Sequence, residues 1–303
     1  SMASFLSIPE TDVEPLAKVL GTLRLQRLGG KRYRGESLPQ MSKRIYGGQV
    51  LAQATMVAAD TLPADDDRLA HSITAAFLRP GRIDHPLFFE VTELNDGRSF
   101  STRNVNALQD DHIIFTARVS AQLHQPGPSF GEEQPEAPAP ETLESSVDFF
   151  AAMNNPWGHI VSTTNSLDMR HVGGFIFTAP AKERTNRHLI WFKSRSAMPK
   201  GSSKLLQRAM LGYAADQFML EPVMRATGIY WAHPEASMAT LDHSIWWHRN
   251  FDLSDWILAE LVSPSAQNGR GLTIAKFFQG GKHIATMSQE GMVRLRNVTH
   301  TEE

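Results

Sequence analysis

Two Ala-rich stretches of the chain carry apolar residues at helical spacing. The first, Gln49 to Leu62, follows Gly47-Gly48 and contains no internal glycine or proline. The second, Leu205 to Leu220, ends shortly before Pro222. Apolar residues three or four positions apart fall on one face of a helix. Each stretch therefore predicts a long helix with a buried side.

Runs of alternating or β-branched residues follow each predicted helix, as is typical of strands. Turn-forming clusters such as Asn95-Asp96-Gly97 and Gly280-Gly281 separate neighbouring runs. The predicted strands are Ser72 to Leu78, Leu87 to Leu94, Phe100 to Leu108 and Ile113 to Gln122 in the first half, and Met238 to His248, Trp256 to Ser263, Gly271 to Phe278 and His283 to Leu295 in the second. One long helix followed by several antiparallel strands predicts an α+β module in which a sheet wraps the helix.

The two halves also share short matches in the same order. His71-Ser72-Ile73 returns 172 positions later as His243-Ser244-Ile245. Further on, Gln109 returns 170 positions later as Gln279. Several ordered matches at nearly constant spacing predict an internal duplication. The difference of two positions predicts a shorter hairpin loop in the second half.

A proline-rich segment, Leu123 to Glu141, lies between the halves. Prolines fix φ and remove backbone donors, so this segment should be a linker rather than part of a core. We therefore predict an N-terminal module over residues 1–122, a linker over 123–144 and a C-terminal module over 145–303. The stretch from Ser145 to Ser196 should open the second module.

Composition excludes several classes of function. The chain has 303 residues, no cysteine and a formal net charge of -2. It therefore has no thiolate metal site or cysteine nucleophile, and no global positive field that would hold nucleic acid. No segment reaches the roughly 18 apolar residues of a membrane span. Ser1-Met2-Ala3-Ser4 does not resemble a secretory signal, and Thr301-Glu302-Glu303 does not resemble a peroxisomal one, so we expect a cytoplasmic location.

Ordered motifs in both halves resemble the type II acyl-CoA thioesterases. The motifs are Tyr46-Gly47-Gly48-Gln49, Phe77-Leu78-Arg79-Pro80-Gly81, Leu211-Gly212-Tyr213-Ala214-Ala215-Asp216, Ala239-Thr240-Leu241-Asp242-His243-Ser244 and Ser288-Gln289-Glu290-Gly291. The resemblance implies a double-hotdog fold, two tandem modules that each wrap an antiparallel sheet around a long helix. It implies hydrolysis of acyl-CoA to a fatty acid and CoA, with no metal or organic cofactor. Because hotdog modules commonly bury their sheet edges in assemblies, we also expect a homo-oligomer, a dimer or tetramer.

The same resemblance assigns the catalytic residues Asp216, Thr240 and Gln289. Thioester hydrolysis needs a positioned water, a proton acceptor and stabilisation of the oxyanion. Asp216 is the one acid between Leu205 and Leu220 and would act as the base. Thr240 and Gln289 would hold the water. Backbone amides near a helix start could bind the oxyanion.

The first half offers Gln49 and Gln53 on its matching helix, where the second half offers an acid. A side-chain amide cannot serve as a general base. We therefore expect a single site, in the second module.

Two other functions remain open at this stage. His243 follows Asp242, a pair that a hotdog enoyl-acyl hydratase or dehydratase could use, although its match His71 follows Ala70, which favours a structural histidine. A non-catalytic acyl-CoA-binding protein is the third reading. Gly127-Pro128-Ser129-Phe130-Gly131 has the Gly-x-Ser-x-Gly spacing, but it lies in the proline-rich segment and not at a strand-to-helix elbow, so a serine hydrolase is not expected. The sequence has no His-Glu-x-x-His pair, so a zinc site is not expected either.

Overall fold

The computed structural model describes residues 7–297, so both chain ends considered above lie outside the described residues. The helices are α1 Leu16–Thr22, α2 Gly47–Asp60, α3 Ser146–Ala151, α4 Pro156–Thr164, α5 Lys204–Ala215 and α6 Glu221–Thr227. The strands are β1 Gln26–Gly29, β2 Arg32–Gly35, β3 Leu69–Phe77, β4 Leu87–Asp96, β5 Phe100–Gln109, β6 His112–Gln122, β7 Leu167–His171, β8 Arg187–Ser194, β9 Ala236–Trp247, β10 Ile257–Gln267, β11 Arg270–Gln279 and β12 Lys282–Leu295. Over these residues, no helix is both long and apolar enough to cross a bilayer.

One twelve-stranded antiparallel sheet, within residues 7–297, runs in the order β1-β2-β4-β5-β6-β3-β9-β12-β11-β10-β8-β7. The pairing of β3 with β9 joins the strands of the first half to those of the second. Every α2 residue from Gly48 to Ala58 is buried, and so is every α5 residue from Leu206 to Ala215. Both helices pack against each other inside the curved sheet. The predicted α+β double-hotdog architecture is confirmed.

The register of strands β3 to β6 repeats in β9 to β12 at an offset of 170. Phe77 pairs with Phe115, and 170 positions later Trp247 pairs with Ala285. Gln109 and Gln279 make equivalent hydrogen bonds. The Gln109 side chain accepts from Arg82 N and donates to the Arg82 carbonyl oxygen, and the Gln279 side chain does the same with Asp252, 170 positions after Arg82.

The predicted loop shortening is wrong. The turns joining β4 to β5 and β10 to β11 have equal length, because Asp96 pairs with Ser101 and Ala266 with Gly271. By register, His243 therefore corresponds to Ile73 and not to His71. A three-residue match alone does not fix strand register.

The second long helix is shorter than predicted. Ser203 accepts a hydrogen bond from Leu206 N and so caps the start of α5. The helix ends at Ala215, with Asp216 as its C-cap residue. Pro222, expected only to follow the helix, occupies the first turn of α6, where a missing N–H costs nothing.

The proline-rich segment has no helix or strand from residue 123 to 139 and lies on the strands of the second half. Glu132 N donates to His283 Nδ1 at 3.2 Å, and Gly281 N donates to Gln134 Oε1 at 2.9 Å. Trp191 Nε1 donates to the carbonyl oxygen of Pro138 at 2.8 Å. These bonds fasten the segment along the sheet.

Candidate active site

The start of α2 lies against the end of α5. The Tyr46 hydroxyl, from the N-cap residue of α2, donates to the carbonyl oxygen of Tyr213. A Cβ placed on Gly48 would lie 2.5 Å from that same oxygen, so only glycine allows this approach. A Cβ on Gly47 would lie 2.7 Å from Asp216 Oδ2. The Asp216 carboxylate therefore meets the amino end of α2, where a negative charge is favoured.

The three residues assigned from the sequence form a continuous hydrogen-bond chain. Gln289 Nε2 donates to Thr240 Oγ1 at 3.2 Å, and Thr240 Oγ1 donates to Asp216 Oδ1 at 3.1 Å. The Asp216 side chain is 6 % exposed and Gln289 is 1 % exposed. Gln289 Oε1 has no hydrogen-bond partner within residues 7–297. An acceptor carboxylate and a buried amide oxygen thus lie at one largely buried site.

A β-bulge aims Thr240 at this site. Along β9 the side chains of His243 and Ile245 point inward and are fully buried. Strict alternation would send Thr240 to the outer face of the sheet, with Asp242. The ladder pairs Glu290 with Asp242 and Gly291 with Thr240, which leaves Leu241 unpaired. This extra residue turns Thr240 inward.

His243 lies behind Asp216 and is itself fully buried. Its Nδ1 is 3.8 Å from Asp216 Oδ1, and its Nε2 is 3.3 Å from Met287 Sδ. Asp242, the acid considered with His243 in a hydratase, instead accepts a hydrogen bond from Glu290 N at an exposed position. The acid beside His243 is therefore Asp216, not its neighbour in sequence.

The first module presents apolar residues at the equivalent positions of its sheet. Ala70 occupies the position of Thr240, beside the matching bulge at His71, and Val119 occupies the position of Gln289. Neither side chain can donate or accept a hydrogen bond.

Gln49 and Gln53 have a structural role instead. Gln49 Oε1 accepts from Leu38 N at 2.8 Å, and Gln53 Nε2 donates to the carbonyl oxygens of Thr22 and Glu36. Both are fully buried. We therefore expect a single site because Ala70 on β3 and Val119 on β6 are apolar, and not because α2 carries these two glutamines.

Sequence comparisons identify the family of the chain. A family model described as acyl-CoA thioesterase matches residues 179–292, and one described as acyl-CoA thioesterase N-terminal domain matches residues 36–122. Acyl-CoA thioesterase 2 of Haemophilus influenzae is 30 % identical over 292 residues, covering 92 % of this chain and 98 % of that protein. The chain belongs to the acyl-CoA thioesterase family.

Solved structures also match the fold of this chain. The crystal structure of acyl-CoA thioesterase II TesB2 from Mycobacterium marinum has a TM-score of 0.74 and 31 % identity, and the match covers 92 % of this chain and 99 % of that one. A hot dog fold protein from Alicyclobacillus acidocaldarius has a TM-score of 0.74 at 15 % identity, covering 91 % and 98 % of the two chains. The second likeness supports the fold alone.

Tyr46 also lies at the candidate site, although residue-level reasoning did not single it out. Burial raises the pKa of its hydroxyl well above the usual value, and the Asp216 charge adds to the effect. Tyr46 is thus a neutral donor beside the carboxylate. The signal available was its place before Gly47-Gly48, where small residues admit a close approach.

A separate buried cluster offers three possible metal ligands, His171, His188 and Glu221, whose ligand atoms lie within 4.8 Å of one another. His171 Nδ1 and His188 Nε2 lie 2.8 Å apart, at hydrogen-bond distance. Arg225 donates twice to Glu221 Oε1, and Trp231 Nε1 donates to Glu221 Oε2. A cation would have to displace Arg225, so the donor set fits a metal poorly. The absence of a metal stays a prediction.

This cluster makes stability depend on pH. Burial lowers the pKa of His171 to about 4 and that of His188 well below its usual value. An unfolded histidine has a pKa of about 6.5. Below that pH the unfolded chain therefore binds more protons than the folded chain, which lowers the free energy of unfolding. We expect the free energy of unfolding, measured in urea, to fall by about 2 kcal/mol between about pH 7 and pH 5 from His171 alone. His171→Gln should remove that part of the slope, and an unchanged slope would contradict the assignment.

Proposed function

We propose that Asp216, Thr240 and Gln289 activate the water with which this chain hydrolyses acyl-CoA thioesters. The observation that carries the proposal is the bonded order Gln289 to Thr240 to Asp216. Because Thr240 donates to Asp216 Oδ1, the other carboxylate oxygen is left to accept from water. Gln289 gives its N–H to Thr240, so its buried oxygen is also free to accept from that water.

The reaction follows from these acceptors. Asp216 takes a proton from the water as its oxygen attacks the thioester carbonyl. The tetrahedral intermediate collapses, the C–S bond breaks, and the CoA thiolate leaves with the proton returned through Asp216. The products are a free carboxylic acid and CoA. No cofactor is needed to balance the step.

The amino end of α2 supports the negative charge that develops on the carbonyl oxygen. The first amides of a helix have no partner within that helix. Gly47 and Gly48 supply two of them, and Gly47 lies against the Asp216 carboxylate. Donors already fixed at the position of the developing charge stabilise it without reorganisation. We assign these two N–H groups as the oxyanion donors.

The single-site arrangement is part of the proposal. Ala70 and Val119 stand where a second site would need a hydroxyl and an amide. We therefore expect one catalytic centre per chain. Titration of active sites with a slow acyl-CoA analogue should give one equivalent per chain, and two equivalents would refute it.

Thr240 and Gln289 should contribute as a unit. We expect Thr240→Ala and Gln289→Ala each to lower kcat by about tenfold to a hundredfold, and the double variant to cost little more than the worse single one. The physical reason is that both side chains hold the same water, Thr240 by orienting Asp216 and Gln289 through its own side-chain oxygen. Thiol release from decanoyl-CoA measures all three variants.

Ser244→Ala is the matched control for that series. Ser244 is a hydroxyl residue on the same strand, two positions beyond Asp242, on the outer face. The Ser244→Ala variant should keep its thioesterase activity. Losses that multiply fully in the double variant would show that the two residues act separately.

We also propose a cytoplasmic homo-oligomer, either a dimer or a tetramer. On the outer face of the sheet, β9 and β11 carry the large apolar side chains Trp246 and Ile274, which are 42 % and 43 % exposed. Such side chains on an open sheet face favour contact with another copy. Sedimentation of the purified chain gives the oligomer order directly, and a monomer at all concentrations would contradict this part.

A further inference from the structure

His243 lies near the middle of the sheet, on the strand that joins the two halves. Its partner on β3 is Ala75, and its partner on β12 is Gln289. Directly opposed residues on antiparallel strands point to the same face of a sheet. His243 and Gln289 therefore share the inner face, where both are buried.

One nitrogen of the His243 ring has no hydrogen-bond partner. Nδ1 is buried and makes no hydrogen bond to any residue that the structure describes. Nε2 contacts Met287 Sδ at 3.3 Å, and a thioether sulfur is only a weak acceptor. Burying a polar atom without a partner costs free energy. Packing alone therefore does not account for a histidine at this position.

The unpartnered nitrogen lies beside the Asp216 carboxylate. The distance from His243 Nδ1 to Asp216 Oδ1 is 3.8 Å. A lone pair on Nδ1 would face a carboxylate oxygen, which is itself an acceptor, so we assign the ring proton to Nδ1. At 3.8 Å this N–H is just beyond hydrogen-bond distance, as contacts between catalytic groups often are before substrate binds.

The β-bulge brings two donors of β9 to the same carboxylate oxygen. Residues three positions apart on a regular strand point to opposite faces. The unpaired Leu241 turns Thr240 to the inner face, which His243 already occupies. Thr240 Oγ1 donates to Asp216 Oδ1 at 3.1 Å, so the hydroxyl and the imidazole both lie at Oδ1. The other oxygen, Oδ2, lies against Gly47 at the start of α2.

The first half of the chain shows that the fold does not need a histidine here. By the offset of 170, the equivalent of His243 is Ile73, which is also fully buried. The equivalents of Thr240 and Gln289 in that half are apolar as well. The histidine thus accompanies the polar residues of the site and is replaced by an apolar side chain where they are absent.

We infer that His243 is a positioning residue for thioester hydrolysis, an assignment that rests on the proposed function. Its N–H and the Thr240 hydroxyl hold Oδ1 of Asp216 from β9, which leaves Oδ2 directed at the water. Without the second donor the carboxylate can rotate about its Cβ–Cγ bond and turn Oδ2 away from the water. His243 transfers no proton to the substrate, and its effect reaches the reaction through Asp216.

Two variants of equal shape test this assignment. Asparagine and leucine are isosteric, and the asparagine amide places an N–H close to the position of the histidine Nδ1. His243→Asn should keep kcat within about fivefold of wild type, while His243→Leu should lower it by about thirtyfold to a hundredfold, the cost of a carboxylate displaced by about an ångström. KM should change by less than about twofold in both, because His243 does not touch the substrate. Thiol release from decanoyl-CoA measures both parameters.

Thermal melts and a third variant separate this effect from a folding defect. His243→Ile copies the residue that the first half carries at the equivalent position, so it should stay folded and lose kcat as the leucine variant does. Ile245→Leu is the matched control, because Ile245 is fully buried two positions further along the same face of β9. It should leave kcat unchanged.

The Asp216→Asn background tests whether His243 acts through the carboxylate. Adding His243→Leu to that background should lower kcat by no more than about twofold. Equal kcat in the asparagine and leucine variants, a loss confined to KM, or a full further loss in the double variant would overturn the assignment. Failure of the proposed function is a different result, since Asp216→Asn would then keep its turnover whatever the His243 variants do.

Discussion

Asp216→Asn should lower kcat by about a hundredfold to ten-thousandfold, the range for a lost general base. An amide has the shape of the carboxylate but cannot accept the proton of the attacking water. The variant should stay folded, because the Thr240 hydroxyl can still donate to the amide oxygen, as it donates to Asp216 Oδ1 at 3.1 Å. Steady-state thiol release together with a thermal melt separates lost chemistry from lost structure.

Asp242→Asn is the matched control for this result. Asp242 is an exposed acid on β9, two positions from Thr240, and it accepts from Glu290 N outside the site. We expect it to keep nearly full turnover. The reverse outcome, an active Asp216→Asn with an impaired Asp242→Asn, would revive the hydratase-type pairing of His243 with its sequence neighbour.

Gly47→Ala should be the second most damaging substitution. The new methyl carbon would lie 2.7 Å from Asp216 Oδ2, well inside van der Waals contact. It would push the carboxylate aside and crowd the first amide of α2. Displacements of about an ångström at a reacting centre cost about a hundredfold in rate. We expect that loss in kcat/KM for every acyl-CoA, whatever its chain length.

Folding should not suffer to the same degree, because alanine is a better helix former than glycine by about 0.5–1 kcal/mol. Gly21→Ala is the matched control: Gly21 is also in a helix, α1, and a Cβ there meets nothing within 4 Å. It should raise stability slightly and leave turnover unchanged. A fully active Gly47→Ala would mean that the start of α2 takes no part in catalysis.

The strands could be predicted from the sequence because polar and apolar residues alternate clearly along them. Predicted strands such as Phe100 to Leu108 and Ile113 to Gln122 differ from β5 and β6 by one residue at an end. Alternation gives faces but not register. The match of His71 to His243 therefore misled, while the match of Gln109 to Gln279 marked true equivalents with the same backbone partners.

The candidate site was accessible only in part. Period-two alternation alone would put Thr240 outside the sheet, and only the family motif placed it with Asp216. The bulge at Leu241 turns Thr240 inward despite the alternation. This bulge depends on how β9 pairs with β12, and the sequence of β9 alone does not determine that pairing. The C-cap position of Asp216 depends on where α5 stops, and helix ends are poorly fixed by periodicity.

The cavity of about 350 Å³ between α4 and residues 38–42 lay beyond sequence reasoning for a different reason. Its outer wall, α4, lies in the stretch from Ser145 to Ser196, where no regular pattern predicted an element. Its facing wall is a loop whose position depends on buried bonds to Gln49 and Gln53. Cavities form from the mutual placement of such pieces, which tertiary packing decides.

The most direct test of water activation by Asp216 is a single turnover of decanoyl-CoA in oxygen-18 water with enzyme in excess. Mass spectrometry then locates the label. The label should appear in the carboxylate of the released decanoic acid, and the peptide containing Asp216 should stay unlabelled. Label in the Asp216 carboxylate would mean that this residue attacks the thioester itself, and would contradict the account.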